Sequence, residues 1–398
     1  MFRICLISLL LLVSGSAWSN TSENSNKNKK ATFIAFNSNI GTLMKTNDFL
    51  KDANIPFSTS YSLKFGFNAK GDDWRDFAYG MPYYGIGLYT IKFKDNDGLG
   101  NPVSLYLFQG ATISELSSRL KLNYEWNLGV STNWEPYDRF DHPTMDAIGS
   151  NVNVHVALNL MLRYAVNNNI DLNLGAAFTH FSNGSYQQPN AGVNQLSGFM
   201  ELVYKFNVDE ISKKELSNKE PFTPHYDHDI LLNISSRQVE ADTAKTNMPS
   251  EYTRNRFKIF DLSYGLMKVP NYRYKYGVGL DVLYDETSGV KMWREIHPED
   301  GEVYERIKLA PIVDRLSLGA SLRGEMVMQG YSIFANLGWN LIHGNKKDQR
   351  LYQVIGIKLY LQDNFFGTFG IRATHFTKAQ YLYWSLGYTI NGRSYSKR

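Results

Sequence analysis

NVNVHVALNLMLRYAV, residues 151–166, alternates along almost its whole length. Val152, Val154, Val156, Leu158, Leu160, Leu162 and Tyr164 share one parity; Asn151, Asn153, His155, Asn159 and Arg163 share the other. Successive side chains of a strand point to opposite faces. The segment therefore has one continuous apolar face and one face carrying amides, an imidazole and a guanidinium. Residues 119–131 repeat the pattern, with Leu120, Leu122, Tyr124, Trp126, Leu128 and Val130 set against Arg119, Lys121, Asn123, Glu125 and Asn127. Such faces suit a membrane barrel, apolar toward lipid and polar toward the interior. A soluble all-β sandwich is the blander alternative.

Similar segments fill the chain. In the first half they run roughly over 31–44, 58–70, 83–94, 102–113, 118–131, 151–166, 169–183 and 194–207. Residues 208–225 are charged, contain Pro221 and Pro224, and divide the chain as a linker. The second half offers 228–239, 257–267, 273–285, 315–327, 331–342, 351–362, 365–377 and 380–390. That is about eight strands per half and about sixteen in all. Aromatic residues make up 14% of the chain, with 26 Tyr and 23 Phe, and no long apolar run follows the N-terminus. Only helices and closed barrels satisfy the backbone in lipid. The expected fold is thus all-β, an up-and-down antiparallel transmembrane β-barrel. One wide barrel is the expected arrangement, because hairpins added to a sheet extend it; two eight-stranded units are the alternative. If both termini are periplasmic, 132–150, 184–193, 240–256 and 286–314 are long extracellular loops, and 167–168, 328–330 and 363–364 are short turns.

The N-terminus reads as a secretory signal: Phe2-Arg3, an apolar run Ile4–Val13, and Ala17-Trp18-Ser19 before a cleavage point. Together with the barrel pattern, export by such a signal makes the bacterial outer membrane the expected location. Residues 1–19 are the signal, 20–30 a polar, lysine-rich leader, 31–207 the first barrel half, 226–391 the second and 392–398 a tail. The one cysteine, Cys5, falls inside the signal. A mature chain without it has no disulfide, zinc–thiolate site or cysteine nucleophile. A net charge of +4 and a pI near 8.7 point to no nucleic-acid partner. No cofactor motif and no metal-ligand spacing is present. The loop 134–146, with Trp134, Asp138, Asp141, His142 and Asp146, reads as solvated loop acids, a cation or lipid head-group site being the alternative.

Chemistry concentrates in HFSNGSYQQPNAGVN, residues 180–194. Ile170, Leu172, Leu174, Ala176 and Phe178 set an apolar parity that His180 and Ser182 continue. In the next strand Leu196, Met200, Leu202, Tyr204 and Phe206 set an apolar parity that includes Asn194. A hydroxyl, an imidazole and an amide therefore share the lipid-facing side of one hairpin. Residues two apart on one face of a strand are neighbours, so His180 and Ser182 can meet as base and nucleophile. Pro189, Asn190 and Gly192 are also ordinary turn residues. His180 by itself reads equally well as an interfacial ring.

The motif resembles that of the outer-membrane lipid A deacylase family, the 3-O-deacylases. There a His-x-Ser-Asn is followed by Pro-Asn-x-Gly-x-Glu. His180, Ser182, Asn183, Pro189, Asn190 and Gly192 match, and the likeness spans about residues 58–207. The resemblance implies an esterase of the outer membrane that removes an acyl chain from lipid A of lipopolysaccharide, without a cofactor. It implies Ser182 as nucleophile, His180 as base, and Asn183 with a backbone N–H of Gly184 or Ser185 as the oxyanion donors. Asn194 departs from the pattern, standing where the family has Glu. It can accept from the His but brings no negative charge; in serine proteases the Asp-to-Asn change costs on the order of 10⁴ in rate. FGIRATHFTK (369–378) echoes LGAAFTHFSN (174–183), but Lys378 replaces the Asn and no Pro-Asn-x-Gly follows. His375 and Thr377 thus read as a non-catalytic relic of a duplicated unit. The alternative function is a non-catalytic porin or lipopolysaccharide-binding barrel.

Overall fold

The structure, a computed structural model, describes residues 32–69, 71, 74–95, 98–138, 140–206, 222–239, 255–299, 301–328, 330–344, 349–361, 364–374 and 378–390. The signal, the leader, most of the linker, most of the loop 240–256, the tail and the pair His375 and Thr377 lie outside them.

The first barrel has eight antiparallel strands in sequence order. They are β1 (Thr32–Leu43), β2 (Ser58–Asn68), β3 (Tyr83–Phe93), β4 (Gly100–Glu115), β5 (Leu120–Trp134), β6 (Asn153–Ala165), β7 (Ile170–Ser182) and β8 (Val193–Phe206). Each pairs with the next, and β8 returns to β1 in a register running from Thr32↔Phe206 to Leu43↔Gln195. Two short helices lie between strands, α1 (Asp48–Asp52) and α2 (Trp74–Ala78). The second barrel also has eight strands. They are β9 (His225–Arg237), β10 (Phe257–Val269), β11 (Tyr274–Asp285), β14 (Leu316–Val327), β15 (Tyr331–Ile342), β16 (Leu351–Tyr360), β17 (Phe365–Thr374) and β18 (Lys378–Ile390), closed by β18 on β9. The stretch read as a long loop, 286–314, holds its own hairpin, β12 (Lys291–Ile296) with β13 (Val303–Lys308).

The single wide barrel expected from the sequence is therefore replaced by two narrow ones. Alternation fixes which face each residue takes but not where a sheet closes. The side chains turned inward explain the closure at eight. In the first barrel Phe33, Tyr83, Tyr106, Phe108, Trp134 and Phe181 are buried together and fill the interior. Eight strands leave a bore that side chains can fill, whereas sixteen leave an aqueous lumen.

Many charged groups inside are paired. Lys64 lies 2.6 Å from both Glu125 and Glu201. Asn159 donates to Glu125 at 3.1 Å and Asn173 to Glu201 at 2.7 Å. The second interior is held likewise, with Lys275 on Asp227, Lys358 between Asp229 and Glu325, and Arg323 on Asp281. Arg119, expected on the polar inner face, sits in the β4–β5 turn instead, and Lys121 lies at the very start of β5, where it pairs with Glu115 across the strand end. The outward parity is bare: Leu158, Leu174 and Leu196 are 59%, 53% and 55% exposed. A row of exposed leucines around a closed sheet is a lipid-facing surface.

Candidate active site

Two compact units contain the barrels; the first spans residues 1–183 and 190–220, and the β7–β8 tip, Gly184–Pro189, falls into the second. His180, Ser182, Asn183, Asn190, Gly192 and Asn194 all belong to the first. His180 lies near the end of β7 and pairs directly across the hairpin with Asn194 near the start of β8. Both have the parity of Leu174, Phe178 and Leu196, which are exposed. Ser182 shares that parity yet is only 4% exposed.

Loops brace the hairpin end. The Met44 N–H donates to the Asn194 carbonyl at 2.9 Å, and the Ala191 and Gly192 N–H groups donate to the Asp146 and Ala147 carbonyls. The Asp146 carboxylate accepts the Asp48 and Phe49 N–H groups at the start of α1, at 3.0 and 3.1 Å. Asn47 donates to the Gly192 carbonyl at 2.9 Å and accepts the Leu50 N–H. The 134–146 acids are thus partly structural. Asp138 accepts the Phe140 and Asp141 N–H groups, Trp134 is buried on Ser131, and no metal-holding group of acids or histidines occurs among the described residues.

Within this frame His180 bridges its two neighbours. Its Nδ1 lies 2.7 Å from Asn194 Oδ1 and its Nε2 lies 2.8 Å from Ser182 Oγ. An amide oxygen only accepts, so Nδ1 carries the proton and Nε2 presents a lone pair to the serine hydroxyl. That is the arrangement of an activated serine: a hydroxyl, a base in reach, and a third group that orients the base.

The turn residues serve the same geometry. Asn183 is buried, its N–H donates to Asn190 Oδ1 at 2.8 Å, and its side chain donates to Ser150 Oγ at 2.9 Å. Ser150 in turn donates to the Val152 carbonyl. Gly184 and Ser185 both adopt φ 62°. Pro189 is buried. Gly192 has φ 81°, and a Cβ placed there would come within 2.9 Å of the His180 ring. Glycine is needed for both reasons.

Residues 55–202 match the family model of lipid A 3-O-deacylase (PagL), and 226–392 match that of the acyloxyacyl hydrolase C-terminal domain. The chain belongs to the lipid A 3-O-deacylase family. The first match contains every residue of the hairpin motif, and membership places the chain among outer-membrane lipid A deacylases. Among solved structures, the chain is similar to the outer membrane enzyme PagL at 16% identity, over 42% of this chain and 97% of that one, with a TM-score of 0.31. It is similar to the siderophore receptor PirA from Acinetobacter baumannii at 9% identity, over 92% and 69%, with a TM-score of 0.25. No curated protein matches the chain.

Several residues at the site carry no signal in the sequence. Thr46, Asn47 and Ser150 sit in loops with no motif around them, and Asp146, read among the solvated loop acids, holds backbone N–H groups of α1 instead. Thr46 Oγ1 accepts from Asn194 Nδ2 at 3.2 Å, across 148 positions of the chain. The closure of β8 on β1 brings Thr46 and Asn47 to the hairpin, and the pairing of β6 with β7 brings Ser150.

Proposed function

We propose that this protein is an outer-membrane serine esterase that removes an ester-linked acyl chain from lipid A of lipopolysaccharide. The observation that carries the reading is the bridge from Ser182 Oγ through His180 to Asn194 on the lipid-facing side of the first barrel. An acyl chain lying in the outer leaflet reaches that face without leaving the membrane.

In the reaction, Ser182 Oγ attacks the ester carbonyl while His180 Nε2 takes its proton. The tetrahedral intermediate places its negative charge on the former carbonyl oxygen, where donors are worth most. We assign that role to Asn183 and the backbone N–H groups of Gly184 and Ser185, which follow the nucleophile directly. As the intermediate collapses, the sugar hydroxyl leaves with the proton from His180, and the acyl group stays on Ser182. Water then attacks the acyl-enzyme, His180 again taking and returning a proton, and a free fatty acid departs. The family description points to the 3-O position as the ester cleaved. Asn194 accepts from His180 throughout but offers the imidazolium no counter-charge.

The test is covalent labelling. An alkyl fluorophosphonate added to the purified protein in detergent should phosphonylate Ser182, and His180→Ala should lose the label. A label on another residue, or none, contradicts the assignment. The non-catalytic channel reading gains nothing from the first interior, where buried aromatic side chains and the Lys64 ion pairs occupy the bore.

A further inference from the structure

We infer that Thr46 is a positioning residue that selects the working tautomer of His180; this rests on His180 and Ser182 acting as base and nucleophile. The need for it arises from the amide at position 194. A carboxylate offers an acceptor with either oxygen. An amide has one end that accepts and one that donates, and the two have the same shape.

With Oδ1 toward His180, Nδ1 keeps the proton and Nε2 is free to take one from Ser182. With the amide turned over, Nδ2 would donate to Nδ1. The ring proton would then sit on Nε2 and point at Ser182 Oγ, and the base would be lost. In serine proteases an Asn in the orienting position is costly for this reason, on the order of 10⁴ in rate. Something must therefore hold the amide one way round.

Thr46 is placed to do so. Its Oγ1 lies 3.2 Å from Asn194 Nδ2. Its own hydroxyl proton is directed to the Met44 carbonyl at 3.4 Å, which also accepts the Thr46 N–H at 2.8 Å. The Met44 N–H closes the ring on the Asn194 carbonyl at 2.9 Å. Oγ1 thus faces Asn194 as an acceptor. A turned amide would set Oδ1 against that lone pair, or pull the hydroxyl away from Met44. Each alternative loses a hydrogen bond. Thr46 is itself exposed and lies between β1 and α1, outside the barrel strands, so its substitution should leave the fold in place.

The experiment compares Thr46→Val and Thr46→Ser in the full-length protein, refolded in detergent, with lipopolysaccharide micelles as substrate. Thr46→Val should lower kcat about tenfold with little change in KM, the weight of one neutral hydrogen bond. Thr46→Ser keeps Oγ and should stay within about twofold. In an Asn194→Glu background the Thr46→Val penalty should shrink below about threefold, because both carboxylate oxygens accept. Independently of activity, ¹⁵N-imidazole spectra should report His180 as the Nδ1–H tautomer in the wild type and shift toward Nε2–H in Thr46→Val. A kcat within about twofold of wild type in Thr46→Val, an undiminished penalty in the Asn194→Glu background, or an unchanged tautomer would overturn the assignment. A wild type that leaves lipopolysaccharide intact defeats the esterase reading, and the tautomer spectra still judge Thr46.

Discussion

In the proposed mechanism three hydrogen-bonding groups on one hairpin carry the chemistry, and each can be changed singly. Ser182→Ala takes away the nucleophile and should abolish deacylation while the band that shifts on heating in detergent, the mark of a folded barrel, is retained. Asn194→Glu adds the negative charge that the family position has and this chain lacks. The imidazolium formed in the transition state then gains a counter-charge away from bulk water, and release of fatty acid should rise about tenfold or more. A fall in activity would show that the amide is required as it stands. Gly192→Ala forces a side chain to within 2.9 Å of the His180 ring at a φ of 81°. Displacing the base by a fraction of an ångström should cost on the order of 10²-fold in kcat with the barrel still folded. The juxtaposition of His180, Ser182 and Asn194 was legible in the sequence, because strand parity puts them on one side of a hairpin. What braces it was not: Thr46, Asn47 and Asp146 reach the site through pairings that no local pattern announces.

The strands follow the alternation closely, since period two is a local property and each segment states its own faces. Departures fall where other rules act. β4 runs Gly100–Glu115, longer than its alternating part, with register shifts near both ends. The β12–β13 hairpin and the two helices are too short for periodicity to reveal. Inward positions matter as pairs across strands. Lys64, on β2, is the cation between Glu125 of β5 and Glu201 of β8. Removing one member of such a buried group costs about 3–5 kcal/mol, because the charges left behind have neither partner nor water. Lys64→Met should therefore lower the temperature at which the heat-shifted band appears, and adding Glu125→Gln and Glu201→Gln should restore part of it. A Lys64→Met barrel as stable as wild type would contradict this pairing. The second-half echo of the motif, at His375 and Thr377, lacks the Asn and the turn that follow Ser182. His375→Ala should leave deacylation within about twofold of wild type; a loss as deep as that of His180→Ala would move the catalytic half.

For the molecule as a whole, the sequence announced the class and the number of strands but not the count of barrels. Closure depends on which distant strand an edge finds, and β1 finds β8 rather than a neighbour in the second half. Two narrow eight-stranded barrels should carry no steady ion current. A planar bilayer containing the purified protein should stay silent, and a stable open conductance would restore the channel reading. The central claim is that the first barrel hydrolyses an ester of lipid A through Ser182. Its most direct test is the mass spectrum of lipid A from cells of one strain expressing wild type, Ser182→Ala or neither. The account predicts that wild type alone shifts lipid A down by the mass of one ester-linked acyl chain, with that fatty acid recovered free. Identical spectra from all three, in cells where the wild-type barrel is folded in the outer membrane, or a shift that survives Ser182→Ala, would contradict it.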